Sequence, residues 1–135
     1  MELEKVKKIN DVLSEIGTFF FVTCDESRPH ARPVSFKMVY DGKLYLGIGK
    51  FKDAYIQAFK NPNIQLVGCK GANWIRVDAK LKFVDDPKAV AECFKIIPGV
   101  EKMYKENNLE MGMMYLESGH VEIKSVMDTI EEFNF

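Results

Sequence analysis

The sequence predicts a mainly β protein in which an antiparallel sheet of about six to seven strands curls into a barrel, with short helices at its flanks. Short runs rich in β-branched and aromatic residues recur along the chain. Tight-turn dipeptides separate most of these runs, which favours antiparallel neighbours. Helical periodicity is confined to the N-terminus and to short segments between strands. Strands of this number and length close into a barrel more readily than they stay flat.

The N-terminal segment predicts a helix followed by a buried strand. Apolar residues recur at helical spacing over residues 2–16, and they are Leu3, Val6, Ile9, Leu13 and Ile16. Gly17 is a suitable residue to end that helix. Residues 18–24 are almost wholly apolar and rich in phenylalanine, as expected for a strand that is buried on both faces.

A β-hairpin is predicted between His30 and Lys52, after a turn over residues 25–29. Its centre is Asp41-Gly42, which lies between two β-rich runs. A type I′ turn needs positive φ at both central residues, and Asp-Gly is one of the dipeptides that supply it.

The middle of the chain predicts a short helix and then two long strands. The helix spans residues 52–60 and ends at Asn61-Pro62, because the residue before a proline avoids helical geometry. Residues 63–69 form a strand, Lys70-Gly71 a turn, and residues 73–84 a strand whose apolar and polar residues alternate.

The C-terminal third predicts two helices and a last pair of strands. Asp86 caps the first helix, with Pro87 at its first position, and Pro98-Gly99 ends it. A second helix covers residues 100–107. Strands at residues 113–117 and 120–126 then flank a turn at Ser118-Gly119, and an apolar tail ends the chain. We expect residues 1–135 to form one domain.

Composition excludes several classes of function. The net charge of −1 gives no general attraction to nucleic acid, and no apolar run is long enough to cross a membrane. Three widely spaced cysteines and a charged N-terminus predict a cytoplasmic protein. A metal site built on histidine would need both His30 and His120 together with carboxylates, so no metal site is expected.

The end of the predicted hairpin has the properties of a phosphate site. Gly47 and Gly49 would let a ligand approach the backbone, and Lys50 and Lys52 stand where a helix begins. Unpaired backbone N–H groups at a helix N-terminus attract anions, and lysines are not the residues that a helix start prefers. The plainer interpretation, two solvated lysines, remains open.

The chain resembles the pyridoxamine 5′-phosphate oxidase-like family of FMN-binding split β-barrels. The resemblance covers residues 17–125, and its motifs are specific only in their joint order and spacing. The matching residues are Arg32-Pro33-Val34-Ser35-Phe36-Lys37, Tyr45, Lys52, Asn61-Pro62 and Trp74-Ile75-Arg76-Val77.

The resemblance implies an FMN-dependent oxidoreductase that works as a homodimer with flavin at the interface, using NAD(P)H and a small molecule as reactants. The resemblance and the predicted phosphate site together give these candidate flavin contacts: Arg32, Pro33, Val34, Ser35, Lys37, Tyr45, Gly47, Gly49, Lys50, Lys52 and Trp74. Lys50 stands where the family prefers a small hydroxyl residue. The guanidinium of Arg32 could donate two parallel hydrogen bonds to the phosphate of FMN. Arg32 and Lys37 should point to opposite faces of a regular strand, so only a bulge would bring both to one phosphate.

Several alternatives stay open at this stage. Trp74 suits a core or dimer contact as well as a flavin contact, Tyr45 suits cross-strand packing better than proton donation, and no catalytic residue is identified. The family's full-length oxidases end in an Arg-x-His segment that binds the vitamin substrate. This chain shows no such motif, so we do not expect oxidation of pyridoxamine phosphate. The second hypothesis is a module on the same fold that binds haem, a deazaflavin or flavin without turnover, and the third is a purely structural β-barrel interaction domain.

Overall fold

The computed structural model describes residues 2–135, which form four helices and eight strands. The helices are α1 (Glu2–Ile16), α2 (Asp53–Lys60), α3 (Pro87–Ile96) and α4 (Pro98–Glu106). The strands are β1 (Phe19–Asp25), β2 (Arg28–Val34), β3 (Met38–Tyr40), β4 (Lys43–Gly49), β5 (Asn63–Lys70), β6 (Asn73–Val84), β7 (Met111–Lys124) and β8 (Thr129–Asn134). Within these residues, no helix has the length and hydropathy needed to cross a membrane.

One antiparallel sheet contains all eight strands, and its topology closes it into a barrel with a seam. The order across the sheet is β2-β1-β5-β6-β7-β4-β3, with β8 paired to β7. The two edge strands of this order, β2 and β3, are consecutive in the chain and only residues 35–37 connect them. So short a link holds the two edges within roughly 15 Å of each other. The sheet must therefore curl round, and the link spans the gap between its edges.

Two buried clusters form the core. The larger one fills the barrel between the sheet and α1, whose buried residues are Val6, Ile9 and Leu13. The backbone N–H of Gly17 closes α1 by donating to the carbonyl of Leu13 at 2.9 Å, with a positive φ of 87°. The smaller cluster packs α3 and α4 against β4 and β7, around Tyr45 and Cys93.

The structure confirms the mainly antiparallel β fold and the central hairpin turn. Asp41 and Gly42 have φ values of 52° and 74°, as a type I′ turn requires. The first arm of the predicted hairpin is interrupted, however. Its N-terminal part is β2, which pairs with β1, and only the short β3 pairs with β4. The chain leaves one edge of the sheet here and joins the other, which no local pattern encodes.

The C-terminal strands differ from the prediction in a second way. Residues 111–124 form one continuous strand, and Ser118-Gly119 is not a turn. A Cβ on Gly119 would meet the carbonyl oxygen of Asp78 and the ring of Phe135, so this glycine serves close packing between strands. The apolar tail is strand β8, which brings the count to eight rather than six to seven.

Candidate functional site

A cavity of about 240 Å³ lies at the seam of the barrel. The link between the edge strands supplies Ser35 and Phe36, β4 supplies Gly47, and α4 supplies Tyr104. We call this space the seam cavity, and its full lining is Phe21, Pro33, Val34, Ser35, Phe36, Leu46, Gly47, Ile48, Lys52, Ile97, Val100, Tyr104 and Met111. The lining is mainly apolar, with one cation and two hydroxyl groups. Five predicted site residues are among it: Pro33, Val34, Ser35, Gly47 and Lys52.

Lys52 is the cation of the seam cavity, and it stands at the N-terminus of α2. It occupies the N-cap position but makes no side-chain capping bond. Among residues 2–135 it has no ion-pair partner, and its ammonium lies 5.9 Å from the centre of the Phe51 ring. The N-terminus of a helix attracts anions through its unpaired N–H groups. An exposed, unneutralised lysine at this point adds a full positive charge to that partial one.

Arg32 does not line the seam cavity, because its guanidinium is held on the inner face of the sheet. Nη1 donates to the Thr23 hydroxyl at 2.8 Å and to the carbonyl of His30 at 3.1 Å. Nη2 donates to Oε1 of Gln57 at 2.8 Å, and the Thr23 hydroxyl donates to the same oxygen at 2.7 Å. Burial lowers the pKa of Arg32, while the carboxylate of Asp53 opposes that shift.

The bonds of Arg32 fasten α2 to the sheet. Gln57 belongs to α2, whereas Thr23 and Arg32 belong to the paired strands β1 and β2. The closed triangle of hydrogen bonds therefore fixes the position of the helix whose N-terminus carries Lys52. In a single chain, Arg32 contacts the helix that carries Lys52 at its N-terminus and is not itself in the lining of the seam cavity.

The two other predicted lysines point to different places. Lys37 donates to the hydroxyl of Ser14 on α1 at 2.7 Å, and burial lowers its pKa against an opposing effect of Asp11. Lys50 lies 3.4 Å from Asp85 and 3.5 Å from Glu110. Burial alone would lower the pKa of Lys50, but its hydrogen bonds and attraction to these carboxylates raise it. The structure thus neutralises Lys50, whereas Lys52 has no ion-pair partner in the described part of the chain.

Tyr45 and Trp74 also lie outside the seam cavity. Tyr45 is buried and packs against Tyr40 and Tyr115, with ring centres 5.5 and 5.3 Å away. Burial, followed by the neighbouring Tyr115, raises the pKa of the Tyr45 hydroxyl. Trp74 lies near the end of α1, with the guanidinium of Arg76 5.4 Å from its ring centre. Within one chain, the structure does not bring these two residues to the cavity.

The two predicted glycines make room mainly for side chains of the protein. A Cβ on Gly47 would lie 3.2 Å from both the Phe36 ring and Sγ of Cys93. A Cβ on Gly49 would lie 2.5 Å from the Phe51 ring and 2.7 Å from the Tyr104 hydroxyl. Gly47 is also part of the lining of the seam cavity. A larger residue at either glycine would push an aromatic side chain of this region out of place.

Sequence reasoning missed four residues that shape the site. Thr23 and Gln57 hold α2, while Phe36 and Tyr104 form walls of the seam cavity. Nothing local marks Thr23 or Gln57, because they are 34 residues apart in the chain and meet only in the folded protein. Phe36 carried a signal, since it lies inside the motif Arg32–Lys37. Tyr104 lies on the apolar stripe of α4, where it is indistinguishable from a packing residue.

The fold and the seam cavity define a small split-barrel domain with an apolar cleft beside a cationic helix N-terminus. The chain belongs to the family described as pyridoxamine 5′-phosphate oxidase, whose model matches residues 6–121. This match confirms the family resemblance, including the segment that carries most of the predicted site. No curated protein matches the chain.

Solved structures share the fold at low sequence identity. A NimC/NimA family protein from Clostridium acetobutylicum is 24% identical, with a TM-score of 0.89 over 98% of this chain and 94% of that chain. General stress protein 26 from Bacillus anthracis is 13% identical, with a TM-score of 0.69 over 97% and 98% of the two chains. A protein from Clostridium acetobutylicum related to general stress protein 26, of the pyridoxinephosphate oxidase family, is 12% identical, with a TM-score of 0.65 over 100% and 96%. At these identities the likeness concerns the fold alone.

Proposed function

We propose that the protein binds FMN at the seam cavity and uses it as an oxidoreductase acting on a small molecule. The observation that carries this proposal is the position of Lys52, an unneutralised cation at a helix N-terminus that borders an apolar cleft. A phosphate monoester joined to a flat apolar ring system matches that combination of groups. Membership of the family supports the same ligand class.

The groups present fit FMN in chemistry. Lys52 and the N–H groups at the start of α2 suit the phosphate, and the Ser35 hydroxyl is a further donor. Phe36 and Gly47 offer one wall and the floor for the ring system. The volume of about 240 Å³ is below the roughly 300–1,000 Å³ of typical ligand pockets. One chain would therefore enclose only part of the flavin.

A second copy of the chain would complete the site, so we propose a homodimer with flavin at the interface. Large apolar side chains lie exposed on and beside α2, close in sequence to Lys52: Phe51 is 48%, Ile56 49% and Phe59 61% exposed. Apolar patches of this kind mark interaction surfaces. Predicted contacts that the chain does not bring to its own cavity, such as Trp74, would then reach the flavin of the partner.

Bound FMN would supply the transfer of hydride or electrons between NAD(P)H and the small molecule. The protein's own residues bind the phosphate, hold α2 in place through Arg32 and exclude water with apolar walls. No side chain in the seam cavity is required as a general acid or base for direct hydride transfer. We do not propose oxidation of pyridoxamine phosphate.

We place the protein in the cytoplasm, where its three free cysteines would stay reduced.

The test compares two lysines that differ in their surroundings. Lys52→Gln should weaken FMN binding roughly 10- to 100-fold, because a hydrogen bond to a charged group contributes about 1.5–3 kcal/mol. Lys50→Gln is the matched control, since Asp85 and Glu110 already neutralise that ammonium, and its affinity should stay within about twofold. Fluorescence titration with FMN and with riboflavin, which lacks the phosphate, measures both.

Riboflavin affinity should be the same in Lys52→Gln and in the unchanged protein. If both variants bind FMN as the unchanged protein does, the phosphate does not lie at Lys52 and the site is wrong.

A binding module without turnover is the second candidate, and FMN-loaded protein that fails to oxidise NAD(P)H would favour it. Haem is less well supported, because the lining of the seam cavity contains no histidine. A Soret band on titration of the protein with haem would instead support haem binding.

A further inference from the structure

The outer face of the sheet carries a cluster of polar side chains where β7 pairs with β8. Val121 and Ile123 are buried, so His120 and Glu122 point outward by strand alternation. The register places His120 opposite Asn134 and Glu122 opposite Glu132. All four side chains therefore lie on one surface, on strands whose backbones are hydrogen-bonded to each other.

Two carboxylates stand directly opposite each other in this cluster. Like charges in that arrangement repel, which is unfavourable unless a cation lies between or beside them. Arg76 and Lys124 contact Glu122, but both do so at Oε2, at 2.5 and 3.5 Å. The other oxygen of Glu122, Oε1, faces Nε2 of His120 at 3.8 Å. Arg76 and Lys124 thus bind one oxygen of Glu122 and offset the charge of the carboxylate, while the second oxygen faces the ring of His120.

Each of the two ring nitrogens of His120 has an oxygen within hydrogen-bond distance. Its Nδ1 lies 2.6 Å from Oδ1 of Asn134, an oxygen that would accept the Nδ1–H in the tautomer that leaves Nε2 available to a metal. Its Nε2 lies 2.8 Å from Oε1 of Glu132. A hydrogen bond at one ring nitrogen fixes the tautomer and presents the other nitrogen as the ligand atom, a pattern found around most metal-bound histidines.

We propose that His120, Glu122 and Glu132 bind a divalent transition-metal ion of the Zn²⁺ class, with Asn134 as the partner that orients the imidazole. The three ligand atoms, Nε2 and one oxygen from each carboxylate, lie within 4.8 Å of one another. Tetrahedral coordination with bonds of about 2.1 Å needs ligand atoms about 3.4 Å apart. The distances from Nε2 to the two carboxylate oxygens, 2.8 and 3.8 Å, bracket that value.

This site is separate from the seam cavity, whose lining contains none of its residues. His120 and Asn134 instead border a cleft of about 700 Å³ on the outer face of the sheet. A fourth coordination position would face solvent there, for water or a small ligand. The mixed imidazole and carboxylate set favours Zn²⁺ or Co²⁺ over the hard cations Mg²⁺ and Ca²⁺. Bridging two strands, the metal would also fasten β8 to β7.

The sequence alone did not predict this site, because a histidine-based metal site was expected to need both His30 and His120. One histidine is enough when two glutamates from different strands join it. Glu122 follows His120 by two positions, but Glu132 reaches the cluster only through the pairing of β7 with β8.

The test titrates metal-free full-length protein with ZnCl₂ in a calorimeter and with CoCl₂ in a spectrophotometer. We expect one Zn²⁺ per chain and a cobalt d–d spectrum typical of four or five ligands. Glu132→Gln and His120→Gln should each weaken Zn²⁺ binding more than about 100-fold, and Asn134→Ala by about 10- to 100-fold. Glu131→Gln is the matched control, since Glu131 neighbours the site on β8 but pairs with Lys8 at 3.3 Å; its affinity should not change.

Circular dichroism of each variant, recorded without metal, shows whether the fold is intact. The Asn134→Ala and Glu131→Gln variants keep the test decisive if a ligand substitution prevents folding. Absence of stoichiometric Zn²⁺ binding would overturn the proposal. So would binding that His120→Gln or Glu132→Gln leaves unchanged, because the metal would then be held elsewhere, for example by the exposed thiol of Cys69.

Discussion

Arg32 lies at the centre of three internal hydrogen bonds, so its replacement should first affect stability. Arg32→Gln removes the donors to Thr23, His30 and Gln57 and leaves Thr23 buried at 1% exposure. We expect the free energy of unfolding to fall by about 1–3 kcal/mol. Arg32→Lys should recover less than half of the loss, because a single ammonium does not reproduce the planar fork. Urea denaturation followed by circular dichroism measures both.

Arg28 provides the control for Arg32, since it lies on the same strand with its side chain exposed. Arg28→Gln should change the free energy of unfolding by no more than about 0.5 kcal/mol. Equal effects of Arg28→Gln and Arg32→Gln would contradict the fastening role that the structure gives to Arg32.

The cysteines should differ in reactivity because they differ in burial. Burial raises the pKa of Cys93 to about 11 from a reference of 9.0, whereas Cys69 is exposed. The thiolate is the reactive form, so at pH 8 this shift lowers the reactive fraction of Cys93 roughly 100-fold, and burial also blocks access. Ellman's reagent should modify Cys69 rapidly in the folded protein and Cys93 only after unfolding. Cys93→Ser should remove only a thiol that becomes reactive on unfolding, and loss of the rapid reaction in that variant would refute the assignment.

Single residues were predictable from the sequence where their role is local. The turn at Asp41-Gly42 and the cap at Asp86 are confirmed, because each depends on its own backbone geometry. The separation of Lys50 from Lys52 was not predictable. Asp85 and Glu110, which neutralise Lys50, come from segments far away in the chain.

Two glycines in different elements should respond in opposite ways to the same substitution. Gly99 lies in α4, and a Cβ there would have no atom within 4 Å. Gly99→Ala should therefore stabilise the protein by about 0.4–1 kcal/mol, since alanine loses less backbone entropy in a helix. Gly112 lies in β7, where a Cβ would meet the ring of Tyr55 and the carbonyl oxygen of Ile48. Gly112→Ala should destabilise by about 1–3 kcal/mol. Thermal denaturation of both variants gives the comparison, and shifts of the same sign would contradict it.

Elements with strong periodicity were predictable, and elements defined by long-range pairing were not. The 15-residue helix α1 is confirmed, because its apolar stripe repeats over four turns. β8 was missed, since its sequence Thr-Ile-Glu-Glu-Phe-Asn does not alternate strictly and its six residues are mostly exposed. The division between β2 and β3 was missed for a related reason: β3 pairs with β4, while β2 pairs with β1.

At the scale of the whole molecule, the barrel closes because the two sheet edges are consecutive in the chain. That closure puts the family motif Arg32–Lys37 across the seam, so its residues separate to different sides. Pro33, Val34 and Ser35 line the seam cavity, whereas Arg32 and Lys37 contact α2 and α1. The motif thus positions the helices on both sides of the cleft as well as forming one of its walls. The sequence motif predicted that these residues lie near one site. It did not predict that three of them line the cavity while Arg32 and Lys37 contact helices.

The proposed dimer gives the last prediction. The seam cavity is below the volume of typical ligand pockets, and Ile56, on the helix whose N-terminus borders the cavity, is 49% exposed. A charge at Ile56 should disrupt a partner that packs there, so Ile56→Glu should convert a particle of twice the 15.5 kDa chain mass into a monomer. FMN affinity should fall in the same variant, because the partner's share of the site is lost. Met127→Glu is the control: this residue is 86% exposed beyond β7 and should leave both properties unchanged. Analytical ultracentrifugation with and without FMN measures them together. A monomer that still binds FMN with full affinity would show that one chain suffices for the site.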